Sequence, residues 1–333
     1  MKTRHLFIAM TVVVILVFGY ALLAPQPAEQ TTTTGPSATA TASPTPTGPP
    51  PAYDIGHLLA PEQDYLGVAL SGVPQDMSRV EKWVDRVARK PNMITIYESF
   101  DDAFAAAEAR KVYQYGALPI IRWEPFKATM ADIAAGKQDT YITTFATAVR
   151  QLNLPIALTI AHEMNGHWYP WGTQTTKAKD FVAAWRHIHD LFTEVDATNV
   201  IWTWTPNVIN PVPRVKLAPL YPGDAYVDWI GIDGYFTHKG EQTFADLFQP
   251  TVEQVQDFTK KPFLIVETGA EPGSMRTRAV NDLFAAVAKA PEVIGFVYFN
   301  QKGSADWVLD HDSKAIAAYR TKARSLDFGF QVK

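Results

Sequence analysis

The run Ile156-Ala-Leu-Thr-Ile-Ala161, followed at once by His162-Glu-Met-Asn-Gly166, reads as a short strand that delivers polar groups at its end. Period-two alternation puts Ile156, Leu158 and Ile160 on one face and Ala157, Thr159 and Ala161 on the other. Continued, the small-residue face reaches Glu163. An apolar face beneath helices and a small-residue face opening to a cleft suit a barrel strand. Seven similar runs flank it: Tyr65–Leu70, Met93–Tyr97, Leu118–Trp123, Val200–Trp204, Val227–Ile232, Phe263–Val266 and Val293–Phe299. Helical patterns fall between them at Asp76–Lys90, Asp101–Tyr115, Thr175–Val195, Phe244–Thr259, Ser274–Ala290 and Lys314–Ser325. Strands alternating with helices predict parallel strands, and eight of them predict a closed α/β (β/α)8 barrel. Such barrels carry their chemistry at the C-terminal strand ends. Here those ends hold Glu98, Arg122-Trp-Glu-Pro125, Glu163, Trp204-Thr-Pro-Asn207, Asp233-Gly-Tyr235, Glu267 and Tyr298-Phe-Asn300.

The barrel accounts for about residues 53–333 of the 333. Lys2 and Arg4 precede an almost purely apolar run, Leu6–Ala24. That pattern predicts an export signal or membrane anchor over 1–25, with 6–24 as the tether if it is retained. Residues 26–52 are rich in Thr, Ser, Pro and Ala, and are expected to form a disordered linker or stalk. The catalytic part is therefore expected outside the cytoplasm, secreted or anchored. The absence of cysteine excludes disulfides, thiolate metal sites and thiol catalysis. A net charge of −4 leaves no basic face for nucleic acid.

Glu163 and Glu267 are the leading catalytic candidates. Glu267 closes the apolar run Phe263-Leu-Ile-Val266, and an unpaired carboxylate there costs several kcal/mol, roughly, so stability alone does not explain it. The fourth and seventh strands lie on opposite sides of an eight-stranded barrel, so the two acids can face each other across its mouth. Glycoside hydrolysis needs such a pair: one acid protonates the leaving oxygen, the other attacks the anomeric carbon or activates water.

The run His162-Glu-Met-Asn-Gly-His-Trp-Tyr-Pro-Trp-Gly172 resembles the acid/base segment of glycoside hydrolase family 26, and Asp228–Tyr235 and Phe263–Gly269 resemble its sixth and seventh strand ends. The resemblance covers most of residues 53–333. It implies a retaining mechanism with Glu163 as acid/base and Glu267 as nucleophile. It further implies that His162 orients the acid, that Trp168 lines the sugar site and that Tyr235 hydrogen-bonds the nucleophile. It departs at strand eight, where Tyr298 and Phe299 stand at a place that often carries Trp. Retention requires carboxyl groups about 5–5.5 Å apart, whereas inversion needs more than about 6.5 Å.

Other residues compete for roles. His162-Glu163 and His167 do not form H-E-x-x-H, because position 166 is Gly and Pro170 follows, so no zinc site is expected. No G-x-S-x-G elbow and no phosphate loop occur, and no cofactor is required. Trp168, Trp171 and Trp204 are candidate sugar platforms, since flat aromatic faces stack on pyranose C–H faces. Arg122, Trp123 and Tyr298 are further candidates for binding substrate. Glu98 and Glu124 can each bind sugar hydroxyls, Glu124 otherwise pairing with Arg122, and Asp233 can cap the turn that follows it. The reading is thus a monomeric endo-β-glycanase acting on β-linked polysaccharide, β-1,4-mannan first and mixed-linkage β-glucan as the alternative. A non-catalytic carbohydrate-binding barrel on a stalk is the rival from another class.

Overall fold

The computed structural model describes residues 51–325 and 328–333. The apolar segment and nearly all of the expected linker lie outside the described residues. No helix among the described residues is long and apolar enough to cross a membrane. The described chain is tied down from its first residues, with Tyr53 N–H donating to Asn153 Oδ1 at 2.8 Å and Asn153 Nδ2 donating to Pro51 O at 2.9 Å.

Eight parallel strands close into a barrel in sequence order. They are β1 (Tyr65–Leu70), β2 (Met93–Ser99), β3 (Leu118–Glu124), β4 (Ile156–Ile160), β5 (Val200–Trp204), β6 (Trp229–Phe236), β7 (Phe263–Ala270) and β8 (Val293–Asn300). The helices are α1 (Gly56–Leu59), α2 (Ser78–Val87), α3 (Ala106–Tyr115), α4 (Met130–Ala134), α5 (Asp139–Leu152), α6 (Ala178–Glu194), α7 (Phe244–Gln256), α8 (Ser274–Val287) and α9 (Ser313–Ser325). The expected α/β barrel is therefore present, but the short helices α1 and α4 were not expected, and two further differences are larger. Helix α5 had no counterpart in the sequence reading, although Ile142, Phe145, Ala146, Val149 and Leu152 form its buried stripe. Strands β6 and β7 run further than the hydrophobic runs suggest, because Asp233 and Glu267 lie inside them rather than beyond them.

Alternation divides the core in two. Inward residues such as Met93, Leu118, Ile120, Ala157, Ile201, Leu264, Val266 and Val297 fill the lumen, while outward ones pack beneath the helices. The lumen's N-terminal end is sealed by α1 and the chain terminus: Tyr65 Oη donates to Leu58 O at 2.9 Å and Trp229 Nε1 to Leu59 O at 2.9 Å. Among the described residues, only the C-terminal end remains open. Gly295 permits β8 to close on β1, since a Cβ there would lie 2.2 Å from Tyr65 O. In β7 an extra residue, Val266, interrupts the pairing, since Ile232 pairs with Ile265 but Asp233 with Glu267; the bulge turns Glu267 to the side of Asp233, a typical use of a bulge to re-aim a side chain.

Candidate active site

The open end holds a cavity of about 980 Å³ lined by Tyr97, Glu163, Trp168, Tyr235 and Glu267, among others. Its floor is an ionic cluster. From β3, Arg122 donates through Nη1 to Asp233 Oδ1 at 3.1 Å and through Nη2 to Asp233 Oδ2 at 2.5 Å. The same Nη2 lies 3.6 Å from Glu267 Oε1. Arg122 and Asp233 are wholly buried, so their bidentate geometry offsets the desolvation of both charges. Tyr97 Oη donates to Glu267 Oε1, and Tyr235 Oη donates to Oε2 at 2.7 Å. Both oxygens of Glu267 are thus held.

Glu163 arrives by a different device. Strand β4 ends at Ile160, and Ala161 (φ 49°) and Glu163 (φ 54°) both take left-handed backbone, a conformation costing about 1 kcal/mol or more for a residue with a Cβ. Two hydrogen bonds hold it: Ala161 N–H to Trp123 O at 3.1 Å and Glu163 N–H to Thr205 O at 2.7 Å. The carboxyl accepts from Asn207 Nδ2 at 2.7 Å and from Trp168 Nε1 at 2.5 Å. Asn207 is itself fixed by Asn165, which donates to Asn207 O at 2.8 Å and accepts from Asn207 N–H at 2.8 Å. Gly166 leaves room for the indole, because a Cβ there would lie 2.5 Å from the Trp168 ring.

Oxygens of Glu163, Asp233 and Glu267 lie within 4.8 Å of one another. Such a trio can hold a divalent cation, yet the protein's own donors already occupy these oxygens, with Arg122 as the cation. Burial first, and then the nearby Glu267, push the Glu163 carboxyl above its ordinary value, against the opposing pull of Asn207, Trp168 and Arg122. An acid whose protonated form is favoured, beside a carboxylate held by donors, can deliver a proton to one side of a bond while the other side is attacked.

Residues 132–320 match glycosyl hydrolase family 26. The chain belongs to that family. Among curated relatives, it is 31% identical to Endoglucanase H of Acetivibrio thermocellus over 263 residues, which is 75% of this chain and 29% of that protein. It is 29% identical to mannan endo-1,4-beta-mannosidase A and B of Caldalkalibacillus mannanilyticus over 165 residues, 46% of this chain and 30% of that protein. The chain thus spans less than a third of the length of either. Among solved structures, the catalytic domain of the Bacillus sp. JAMB-750 GH26 endo-beta-1,4-mannanase superposes with a TM-score of 0.64 at 16% identity, covering 82% of this chain and 89% of that one.

Within this family 26 barrel, several sequence expectations need correction. Trp123 and Trp204 are fully buried and line no cleft. Arg122 and Trp123 are neighbours on β3, so they must face opposite ways. Arg122 points into the mouth, whereas Trp123 stacks on Phe145 with ring centroids 4.1 Å apart. Trp204 faces outward and donates to Leu220 O at 3.1 Å. Trp171 is buried against Tyr169, at 4.5 Å between centroids, and donates to His162 O at 2.6 Å; it braces the loop and does not line the cavity. Tyr298 faces outward, edge-on to Tyr319, and its neighbour Phe299 lines the cavity instead. Arg122, wholly buried, reaches the site only through Asp233 and Glu267. His162 does not touch Glu163: its Nε2 meets Tyr169 Oη at 3.2 Å and lies 3.9 Å from Glu124. Burial, then Arg122, hold that imidazole well below its usual range, hence neutral. Asp233 caps no turn; it is the buried counter-ion of Arg122.

Trp168, 41% exposed, opens onto the cavity, and Tyr235 meets Glu267. Sequence reasoning missed three residues. Tyr97 was recoverable from alternation in β2, which places Thr95, Tyr97 and Ser99 on the inward face. Asn207 was visible only as part of a strand end. Trp307, in the loop after β8, lies tilted against Tyr235 with ring centroids 4.5 Å apart, and no local pattern announces it.

Proposed function

We propose that this chain is a retaining endo-β-glycanase that hydrolyses internal β-1,4 linkages of a plant-type polysaccharide, β-mannan first. The observation that carries this is the carboxylate pair: a buried Glu163 of raised pKa with an oxygen within 4.8 Å of a Glu267 oxygen, both on the floor of the cavity. That spacing falls on the short side of the roughly 6.5 Å that inversion needs. In the first step Glu267 attacks the anomeric carbon, the glycosidic C–O bond breaks, and the proton of Glu163 goes to the leaving oxygen. In the second, water attacks the same carbon, gives its proton to Glu163, and Glu267 departs as a carboxylate. Trp168 presents an indole edge to Glu163 and an open face to the sugar beside it.

The mannan preference rests on relatives named mannan endo-1,4-beta-mannosidase. The higher identity and longer match to a relative named Endoglucanase H favour a second reading, a β-glucan with β-1,4 linkages, mixed-linkage glucan included. Lys2, Arg4 and the apolar run to Ala24 support work outside the cytoplasm, with 6–24 as export signal or tether. Purified protein is expected to release reducing sugar from mannan, lichenan or both, and Glu163→Gln and Glu267→Gln each to abolish release with the fold intact. No release from any β-glycan would instead support a carbohydrate-binding barrel.

A further inference from the structure

Glu267 is met by two phenols, and they are not equivalent. Tyr235 is half-buried, packs on Trp307 and serves Oε2. Tyr97 is 39% exposed, and its ring lines the cavity while its hydroxyl donates to Oε1. The Arg122 guanidinium approaches the same Oε1, and the β2–β3 register sets Tyr97 directly beside Arg122. Each oxygen therefore accepts one phenol hydrogen bond, and Oε1 also faces the guanidinium charge at 3.6 Å. Resting on the assignment of Glu267 as nucleophile, we propose that Tyr97 is a catalytic residue of the second half-reaction, stabilising the Glu267 carboxylate as it leaves the sugar.

The reason is the charge balance of the two steps. When Glu267 bonds to the anomeric carbon, its negative charge is lost to the ester and Glu163 becomes the anion. When water displaces it, the C–O bond to Glu267 breaks and the electron pair returns to that carboxylate. A donor on Oε1 stabilises the free carboxylate, so it slows attack slightly and speeds departure. Oε2, away from the guanidinium, is the better attacking atom; Oε1 keeps the Tyr97 hydroxyl and the Arg122 charge throughout and collects the returning charge. Burial, and then Glu267 itself, push the Tyr97 phenol well above its ordinary value, so it remains a donor across the working pH range.

Tyr97→Phe keeps the ring and removes the donor. The test uses 2,4-dinitrophenyl β-mannobioside or β-cellobioside, whichever the wild type turns over, because the good leaving group makes the first step fast. The expected result is a kcat lower by on the order of tenfold, a KM lower to match, and kcat/KM held or slightly raised. Intact-mass measurement should then show the glycosyl-enzyme accumulating, with an unchanged melting temperature. A residue that merely positions Glu267 would lower kcat/KM with kcat and leave no adduct; that result, or wild-type kinetics, overturns the proposal. Glu267→Ala with added azide tests the underlying assignment separately. An α-glycosyl azide product supports Glu267 as nucleophile, and undiminished hydrolysis without azide overturns both.

Discussion

Glu98 offers a buried carboxylate whose cost can be worked out and measured. It lies one residue before the end of β2 on the outward face, is 6% exposed, and has no cation among its partners. Its Oε2 receives one long bond, 3.4 Å, from Ala105 N–H, and its Oε1 has no partner. Burial, helped by Glu108 and Asp102 and opposed by the Ala105 N–H, pushes the carboxyl from 4.5 up to about 7. Because the folded value lies above the unfolded one, folding favours the protonated form. Below 4.5 the site therefore costs nothing, and stability is lost as pH rises from 4.5 to about 7. Each pH unit in that window removes about 1.4 kcal/mol, so the wild type gives up about 3 kcal/mol in all. Glu98→Gln removes this titration, and any strain from the new amide is the same at every pH. Urea unfolding of both proteins at about pH 4 and about pH 8 should show their stability difference swinging by about 3 kcal/mol toward the variant at the higher pH. Titrations elsewhere are common to both proteins and cancel. A difference independent of pH, or one that swings toward the wild type, refutes the reasoning.

Two further predictions concern the site. Trp168→Phe removes a hydrogen bond that holds the Glu163 pKa down, so the alkaline limb of kcat/KM should move to higher pH while its maximum falls; a limb moving to lower pH contradicts the assignment of Glu163 as the acid. Asp233→Asn leaves Arg122 charged, wholly buried and half-paired, and should cost about 3–5 kcal/mol in urea unfolding; a loss below about 1 kcal/mol would mean that the pair is solvated.

How much was legible in the sequence follows from which forces are local. The barrel was, because each strand announces itself as an apolar run and eight runs have few other ways to bury both faces. The carboxylates were, because an acid at the end of Phe263–Val266 has no structural excuse. The aromatics were not: whether Trp171 faces sugar or His162 depends on how the Gly- and Pro-containing loop folds back, which no spacing reveals. Trp123 could have been placed, since its neighbour Arg122 claims the inward face and alternation then sends the indole outward. The route of Glu163 into the mouth was misjudged in a telling way. Strand alternation reached the right side, yet the backbone leaves the strand at Ala161 and depends on two left-handed residues. The bulge at Val266 that brings Glu267 beside Asp233 was equally hidden, because the register of one strand is set by its neighbour.

The central claim is that Glu163 and Glu267 work as a proton donor and a nucleophile on one anomeric carbon. The stereochemistry of the first product tests it most directly. Proton NMR during the first minutes of hydrolysis of a defined β-oligosaccharide should show the β-anomer appearing ahead of its mutarotation to the α-form, the result of two successive inversions. First appearance of the α-anomer would mean a single displacement by water, and would contradict the account.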